Sequence, residues 1–300
     1  MTTQYNHNFS SPLRYPGGKG ALSNFIKLVT AQNDLSDGDY VEVFAGGASI
    51  AWSLLFEEYV RRVHVNDLNT SLVAFWRSVL EDTDALCQLI TDTPVTMEEW
   101  HRQRKIQERP QDHSTLEIGF STFFLNRTNR SGILKAGVIG GKDQAGPWKI
   151  DARFNKADLI QRIQRIARYS NRIYLYNLDA ALFIQTILPG LSQRTLVYLD
   201  PPYFQKGQEL YENHYSEADH ATIADLVSTH LRQPWIVSYD ATPEIMSLYK
   251  AHPHIRYSIS YSAQARYAGS EVLFCSSSLS IPDVTNPTTV QLPVLAKSVC

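Results

Sequence analysis

Short apolar runs alternate with helical stretches along most of this sequence, and that alternation limits the possible folds more than any other feature. The strand-like runs occupy residues 40–44, 63–65, 172–176, 196–199 and 235–239. Helical periodicity fills most of the intervals between them. Strands that alternate with helices predict a mostly parallel sheet with helices packed on both faces. We therefore expect an α/β fold.

The middle of the chain departs from this rhythm. Residues 82–155 carry helical pieces and then a glycine-rich stretch at 132–146. Residues 101–172 contain fifteen basic and six acidic side chains, a net charge of +9, although the whole chain is at −2 and the remainder therefore at −11. This asymmetry predicts a segment that faces a polyanion within an acidic body. A solvated basic surface is the alternative.

Other features exclude several classes of protein. The three cysteines have no CxxC spacing and the histidines form no HxxxH or HExxH pair, so we expect no disulfide framework and no metal site. The first residues lack an apolar signal core, and no run approaches about 18 apolar residues. We therefore expect a cytoplasmic protein without a membrane span. The tail at 281–300 carries three prolines and is predicted to be extended or mobile.

A glycine turn follows the first strand-like run. Gly46 and Gly47 stand directly before a helical stretch. Glycines in such a turn let a ligand approach the backbone, and the helix N-terminus that follows favours polar or anionic groups. Asp67 comes 20 residues after Gly47, at the end of the next strand, which is the spacing of an acid that binds a ribose. Together they predict a nucleoside-containing cofactor, although the GxGxxG pattern of nicotinamide and flavin sites is missing.

The strongest chemical signal is the sequence Asp200-Pro201-Pro202-Tyr203, which follows the apolar run at 196–199. Prolines at a strand end fix φ and remove N–H donors, so carbonyl acceptors remain free. The Asp200 carboxylate and the Pro201 carbonyl can each accept one N–H bond from an exocyclic amine, while Tyr203 stacks on the ring that bears it. This pattern predicts a site for a planar group with an amino substituent.

Three motifs in this order resemble one known family. They are Arg14-Tyr15-Pro16-Gly17-Gly18-Lys19, Phe44-Ala45-Gly46-Gly47 and Asp200-Pro201-Pro202-Tyr203. Over about residues 12–275 the chain resembles the Dam-like, alpha-class DNA adenine-N6 methyltransferases that use S-adenosylmethionine. The resemblance implies a Rossmann-like methyltransferase sheet that ends in an antiparallel strand, which a hairpin at 256–275 can supply. It also implies an inserted, mainly helical target-recognition subdomain at 81–157, between catalytic parts at 1–80 and 158–300.

The same resemblance implies the roles of individual residues. Asp200, Pro201 and Tyr203 would act on a target adenine flipped out of duplex DNA. The residues implied to hold S-adenosylmethionine are Tyr15, Lys19, Phe44, Gly46, Gly47, Asp67, Asp179 and Asp200. A phosphate loop around Lys19 is excluded because its first glycine, its Ser or Thr and its preceding strand are all missing.

The basic segment contains the candidate DNA contacts Arg127, Asn129, Arg130 and Ser131. Arginine and asparagine suit bidentate contacts with guanine and adenine edges, and arginine also neutralises phosphates. In the resembled family this region forms the target-recognition insert. Members that read GATC carry a GLCRYN-type pattern where this chain reads RTNRSGIL, which argues against GATC. An internal ion pair is an equal alternative for any one of these arginines.

Alternatives to DNA adenine methylation remain open. One is a methyltransferase-like DNA-binding module without turnover. Another is methylation of a different amine, namely cytosine N4, an RNA adenine or a protein glutamine. The aspartate at position 200 favours adenine, because cytosine-N4 enzymes more often carry Ser there and protein-glutamine and many RNA enzymes carry Asn. The expected partners are double-stranded DNA and a cognate restriction endonuclease or another component of a defence system.

Overall fold

A computed structural model describes residues 11–14, 18–204, 215–261 and 267–292 of the 300-residue chain. Its described part contains one seven-stranded sheet in the order β3-β2-β1-β4-β5-β7-β6. The strands are Asp39–Glu42 (β1), Arg62–Asn66 (β2), Ile173–Tyr176 (β3), Thr195–Leu199 (β4), Trp235–Asp240 (β5), His254–Tyr261 (β6) and Tyr267–Cys275 (β7). Strands β1 to β5 pair in parallel, and β7 runs antiparallel to both β5 and β6. The α/β fold and the late antiparallel hairpin are thus confirmed.

Helices cover both faces of this sheet. They are Ser23–Gln32 (α1), Ser49–Phe56 (α2), Thr70–Glu81 (α3), Thr83–Asp92 (α4), Met97–Glu108 (α5), Thr115–Thr128 (α6), Lys156–Ala167 (α7), Ala180–Thr186 (α8), Glu217–Thr229 (α9) and Pro243–Leu248 (α10). The central strands β1 and β4 are buried along their whole length. That burial explains why they appear in the sequence as continuous apolar runs.

The alternation of side chains along each central strand separates two hydrophobic cores. Tyr40 of β1 and Leu196 of β4 point to the core formed with α1, α2, α3, α6 and α7. Val41 and Val197, one position further along the same strands, point to the core formed with α8, α9 and α10. Successive residues of a strand face opposite sides of a sheet, so both faces of β1 and β4 pack against a hydrophobic core.

The predicted insert packs closely on the catalytic sheet. Helix α6 lies against α3, and the rings of Phe75 and Phe123 stack at 5.7 Å. Gly119 permits this close approach, because a Cβ there would stand 2.4 Å from Ser78 Oγ and 2.7 Å from the Ala74 carbonyl oxygen. One buried core runs through α3, α6 and α7. The insert boundaries at 81 and 157 therefore stay a prediction, since no separate core marks them.

The tail that was expected to be extended or mobile from residue 281 is described as far as residue 292. Residues 281–292 have no regular structure apart from one short 3-10 turn at Pro287–Thr289, and this turn packs against helix α1. Pro287 is buried, and the Asn24 side chain donates to the Val290 carbonyl at 2.9 Å. Residues 293–300 lie outside the described ranges.

Candidate active site

The motifs found in the sequence meet at one edge of the sheet. Strands β2, β1 and β4 are parallel neighbours, so their carboxyl ends lie side by side. Phe44 and Gly46 follow β1, Asp67 follows β2 and Asp200 follows β4. Ligands of open α/β sheets bind outside the carboxyl ends of the strands. The topology therefore brings the predicted residues of these three loops to one cleft edge.

Asp67 is tied directly to the glycine turn. Its Oδ2 accepts the Gly46 N–H at 2.9 Å and its Oδ1 accepts the Asn69 N–H at 2.9 Å. Gly46 adopts a left-handed φ of 49°, a conformation that glycine reaches at little cost. Burial raises the pKa of Asp67, and the two backbone hydrogen bonds limit that rise. The half-buried carboxylate is thus fixed in position, with lone pairs left for a ligand.

Asn66 joins the ends of three elements and was not singled out from the sequence. Its side-chain nitrogen donates to the Val43 and Leu178 carbonyls, each at 3.0 Å, and its oxygen accepts the Leu178 N–H at 3.0 Å. The residue is buried, and its three hydrogen bonds fix the loops after β1 and β3 relative to β2. An asparagine directly before a strand-end aspartate was the available signal.

Asp200 lies in a buried polar cluster. Lys19 Nζ is 2.9 Å from Asp200 Oδ1 and 3.3 Å from Oδ2, and Ser238 Oγ donates to Oδ1 at 2.6 Å. The Asp200 side chain keeps 21% of its surface exposed, whereas Lys19 is buried. Burial raises the pKa of Asp200, and the Lys19 charge and the Ser238 hydrogen bond oppose that rise. The cluster thus holds a carboxylate that still reaches the cleft.

A second carboxylate, Glu271, completes this cluster from the antiparallel strand β7. It accepts the Tyr203 hydroxyl at 2.8 Å on Oε1 and the Tyr257 hydroxyl at 2.7 Å on Oε2. Lys19 Nζ lies 3.8 Å from Glu271 Oε1 and donates to the Tyr203 hydroxyl at 3.2 Å. Sequence reasoning missed Glu271, although an acid within the apolar strand that ends at Cys275 was a usable signal.

Lys19 therefore stands between the part-buried Asp200 and the buried Glu271. Burial alone would lower its pKa, but the charges of Asp200 and Glu271 outweigh that effect and hold the pKa well above its ordinary value. Its ammonium also lies 4.9 Å from the centroid of the Tyr203 ring. Lys19 thus contacts Asp200 and Tyr203 of the predicted catalytic motif, and its implied role in holding the cofactor stays a prediction.

The remaining predicted site residues occupy different environments. Phe44 is half-buried and its ring meets the Tyr215 ring edge-on at 5.8 Å. Asp179 caps helix α8 by accepting the Ala181 and Leu182 N–H groups. Burial raises the pKa of Tyr215, and the nearby charges of Asp179 and Asp67 add to the rise. Tyr215, which the sequence did not suggest, therefore lies near both acids and Phe44.

Three predicted residues remain to be placed. Gly47 is buried within the turn that leads into helix α2, and Pro201 is buried beside Asp200. No hydrogen bond from a described residue reaches the Pro201 carbonyl. Tyr15 lies outside the described residues.

Comparison with known proteins decides the class of this site. The sequence model of the D12 class N6 adenine-specific DNA methyltransferases matches residues 15–265. This chain belongs to that family. Membership confirms the resemblance drawn from the three motifs and the expected class of enzyme, an adenine-specific DNA methyltransferase.

Individual relatives of this D12 class methyltransferase are distant. The type II methyltransferase M.MjaIII of Methanocaldococcus jannaschii is 22% identical over 205 residues, which cover 64% of this chain and 68% of the relative. The rRNA methyltransferase AviRa of Streptomyces viridochromogenes aligns over 92% of this chain and 94% of its own, with 10% identity and a TM-score of 0.41. A Listeria monocytogenes protein described as a class I S-adenosylmethionine-dependent methyltransferase aligns over 95% of this chain and 66% of its own, with 10% identity and a TM-score of 0.37.

The predicted DNA contacts of this D12 class methyltransferase divide into exposed and internal residues. Arg130 and Ser131 are exposed after helix α6, whereas Arg127 is half-buried and donates from Nε to the Arg153 carbonyl at 2.7 Å. Asn129 is fully buried. It accepts the Trp100 indole N–H at 2.7 Å, and its side-chain nitrogen donates to two carbonyls of the following turn. Its amide is used inside the protein, so we do not retain it as a base contact.

The described part of the methyltransferase offers neither a metal-binding group nor a membrane span. The described residues contain no group of three or more His, Cys, Asp or Glu side chains that could hold a metal ion. Nor does any helix in the described ranges have the length and apolarity needed to cross a membrane.

The buried carboxyl of Glu42 gives the methyltransferase a testable pH dependence. Burial raises the pKa of Glu42 to about 8, although the hydrogen bond from the Ala51 N–H opposes this rise. The group's stabilisation is complete below its unfolded pKa of 4.5 and is lost as pH rises through 8. The loss amounts to at most about 5 kcal/mol. We expect the Tm of Glu42→Gln to fall less than that of the wild type between pH 5 and pH 9. An equal fall of Tm in the variant and the wild type over this pH range would contradict this expectation.

Proposed function

We propose that this protein transfers a methyl group from S-adenosylmethionine to N6 of an adenine flipped out of double-stranded DNA. The observation that carries the proposal is the Asp200 carboxylate, which lies at the end of β4 and keeps part of its surface open to the cleft. An exocyclic amine can donate one N–H to Asp200 and the other to the Pro201 carbonyl. Tyr203 would stack on the base.

The polar cluster around Asp200 is net negative when its members are ionised. Asp200 and Glu271 carry two negative charges against the one positive charge of Lys19, so the cluster has a net charge of −1 when all three are ionised. Glu271 thus prevents the ammonium from cancelling the charge on Asp200. A net negative cluster favours positive charge that develops on N6, and it does so more in the transition state than in the ground state.

Tyr203 is oriented by the same cluster. Its hydroxyl donates to Glu271 and accepts from Lys19, and only 6% of the residue is exposed. Holding the hydroxyl fixes the ring plane before a base arrives. Preorganisation of this kind lowers the entropic cost of placing the amine against Asp200.

The side chains of the loops after β1 and β2 are chemically suited to S-adenosylmethionine. The half-buried Asp67 carboxylate offers lone pairs suited to ribose hydroxyls, and Phe44 and Tyr215 offer ring faces or edges suited to an adenine. The carboxylates of Asp67 and Asp200 at the cleft edge also suit the positive charge of a sulfonium group. When bound there, S-adenosylmethionine supplies an electrophilic methyl group on a sulfonium sulfur. Gly46 and Gly47 would allow close approach of the backbone, while Asp179 already caps α8.

Duplex DNA is the proposed substrate because the exposed Arg130 and Ser131 lie in the basic segment. An adenine within the base stack cannot reach Asp200, so it would be flipped out. Family membership favours DNA adenine over cytosine N4, RNA adenine or protein glutamine. The description of M.MjaIII as a type II methyltransferase supports a role beside a cognate restriction endonuclease.

Transfer of tritiated methyl groups to matched acceptors tests this function. The purified protein would be incubated with duplex DNA, single-stranded RNA and bulk protein, and DNA products would be digested to nucleosides. We expect label in N6-methyldeoxyadenosine from duplex DNA. Label in N4-methyldeoxycytidine, in RNA or in protein would select one of the alternatives. Cofactor binding by calorimetry without any product would instead indicate a DNA-binding module without turnover.

A further inference from the structure

One guanidinium nitrogen of the half-buried Arg14 has no hydrogen-bond partner among the described residues. This atom, Nη1, is buried. The backbone of Arg14 is fixed, because Asn126 of helix α6 accepts its N–H at 2.8 Å and donates to its carbonyl at 2.7 Å. A buried N–H donor on a charged group costs free energy when it has no acceptor, and an anionic ligand would recover that free energy.

Three more arginines surround the same short segment, residues 11–14. Arg127 donates from Nη1 to the Pro12 carbonyl at 3.4 Å and from Nε to the Arg153 carbonyl at 2.7 Å. Arg162 donates to the Ser11 carbonyl at 3.2 Å. We call Arg14, Arg127, Arg153 and Arg162 the arginine cluster.

Positive charge in the arginine cluster is only partly balanced. Asp158 pairs with Arg162 at 2.8 Å. Burial lowers the pKa of Arg127 to about 9, and the charges of Arg14, Arg162 and Arg153 contribute to this decrease while Asp158 opposes it. Burial and the charge of Arg153 also lower the pKa of Arg14. Four guanidiniums thus repel one another around a single carboxylate.

The arginine cluster borders the turn at residues 130–132, which carries the predicted DNA contacts Arg130 and Ser131. Gly132 directly follows these two exposed residues, and a Cβ on Gly132 would stand 2.2 Å from the Arg14 carbonyl oxygen. A DNA strand that contacts Arg130 and Ser131 would therefore pass close to Arg14.

We propose that the arginine cluster is a phosphate-binding site that holds one backbone phosphodiester of the DNA, with the Arg14 guanidinium as its central donor. Guanidinium groups match phosphate oxygens with paired N–H donors, and one dianion or monoanion would relieve the repulsion among the four arginines. This inference rests on the proposed function for the identity of the phosphate as DNA, but not for the existence of the anion site.

The test compares Arg14→Gln with Arg232→Gln, which removes the same charge from an exposed residue after α9. The first measurement is Tm in chloride and in inorganic phosphate at equal ionic strength. We expect phosphate to raise the Tm of the wild type and of Arg232→Gln but not that of Arg14→Gln. In chloride alone Arg14→Gln should melt no lower than the wild type, because repulsion is removed.

The second measurement is duplex affinity as a function of salt concentration. We expect Arg14→Gln to bind duplex about tenfold more weakly and to reduce the slope of log affinity against log salt by about one unit, the signature of one lost phosphate contact. Arg14→Lys should keep the slope but not the full affinity. Calorimetric cofactor binding should be the same for all variants.

Two results would overturn the site. One is an Arg14→Gln variant with the phosphate response and salt slope of the wild type. The other is a variant that melts lower in chloride and shows no other change, which would identify Arg14 as a structural cation. If the wild type responds to phosphate but binds no duplex, the anion site stands and the proposed function fails.

Discussion

Replacement of Asp200 by alanine is expected to lower methyl transfer by at least about 10³-fold, the scale of losing a preorganised group that stabilises transition-state charge. The fold should survive, because Lys19 keeps Glu271 and the Tyr203 hydroxyl as partners after the carboxylate is removed. Duplex affinity should therefore change little. The measurement is single-turnover transfer of tritiated methyl groups to duplex DNA, together with a binding titration.

Ser238→Ala is the matched control for Asp200→Ala. It removes the 2.6 Å hydrogen bond to Asp200 Oδ1 but leaves the carboxylate and its Lys19 partner in place. We expect a loss of only about tenfold or less, since a hydrogen bond to a charged group contributes about 1.5–3 kcal/mol and only part of this acts in the transition state. Turnover by Asp200→Ala close to that of Ser238→Ala would contradict the assignment of Asp200.

Replacement of Lys19 by methionine is expected to destabilise the fold by about 3–5 kcal/mol at neutral pH, the range for removing one partner of a buried ion pair. Without the ammonium, the part-buried Asp200 and the buried Glu271 are neighbouring carboxylates with no cation between them. Burial and the charge of Glu271 both raise the pKa of Asp200, so the variant should bind a proton that the wild type releases.

The pH dependence of this loss has a definite sign. A carboxyl whose pKa is raised in the folded state stabilises the fold fully below its unfolded pKa, about 4, and this contribution is lost as pH rises through the folded pKa. Burial already raises the pKa of Asp200 in the wild type, and the Lys19 charge opposes that rise. The deficit of Lys19→Met against the wild type should thus grow as pH rises from about 5 to about 9, measured by thermal melts.

Lys27→Met provides the control for Lys19→Met. Lys27 is equally buried and pairs with Glu57 at 2.6 Å, but the Glu57 side chain is 38% exposed. Once unpaired, Glu57 is solvated, so this variant should lose less stability and its deficit should not depend on pH above about 5. A pH-independent deficit in Lys19→Met as well would show that Asp200 and Glu271 are not coupled through the lysine.

Local sequence patterns could predict the catalytic edge because each of its loops is short and follows a buried strand. The glycine turn, Asp67 and Asp200 all stand directly after strands of the parallel sheet, and the topology then brings them together. The same reasoning located the basic segment, since charge can be counted along the chain. The sheet and the family that these contiguous signals predicted are both confirmed.

Long-range contacts could not be read in the same way. Glu271 reaches Lys19 across 252 positions and depends on an antiparallel hairpin whose register no local pattern specifies. Asn129 looked suited to reading a base, yet tertiary burial turned its amide inward onto Trp100. Asn126 likewise binds the backbone of Arg14 from 112 positions away. Burial decides whether a polar side chain faces a ligand or the protein, and burial emerges only from the packed fold.

Single-molecule sequencing of DNA from cells that express the protein tests the central claim most directly, because it identifies the modified base and its sequence context together. Cells that express the Asp200→Ala variant provide the background. The account predicts N6-methyladenine at a defined recognition sequence in cells with the wild type and none above background with the variant. The account would be contradicted if the wild-type protein is folded and binds the cofactor but the DNA of its cells contains no N6-methyladenine. Persistence of N6-methyladenine with Asp200→Ala would contradict it as well.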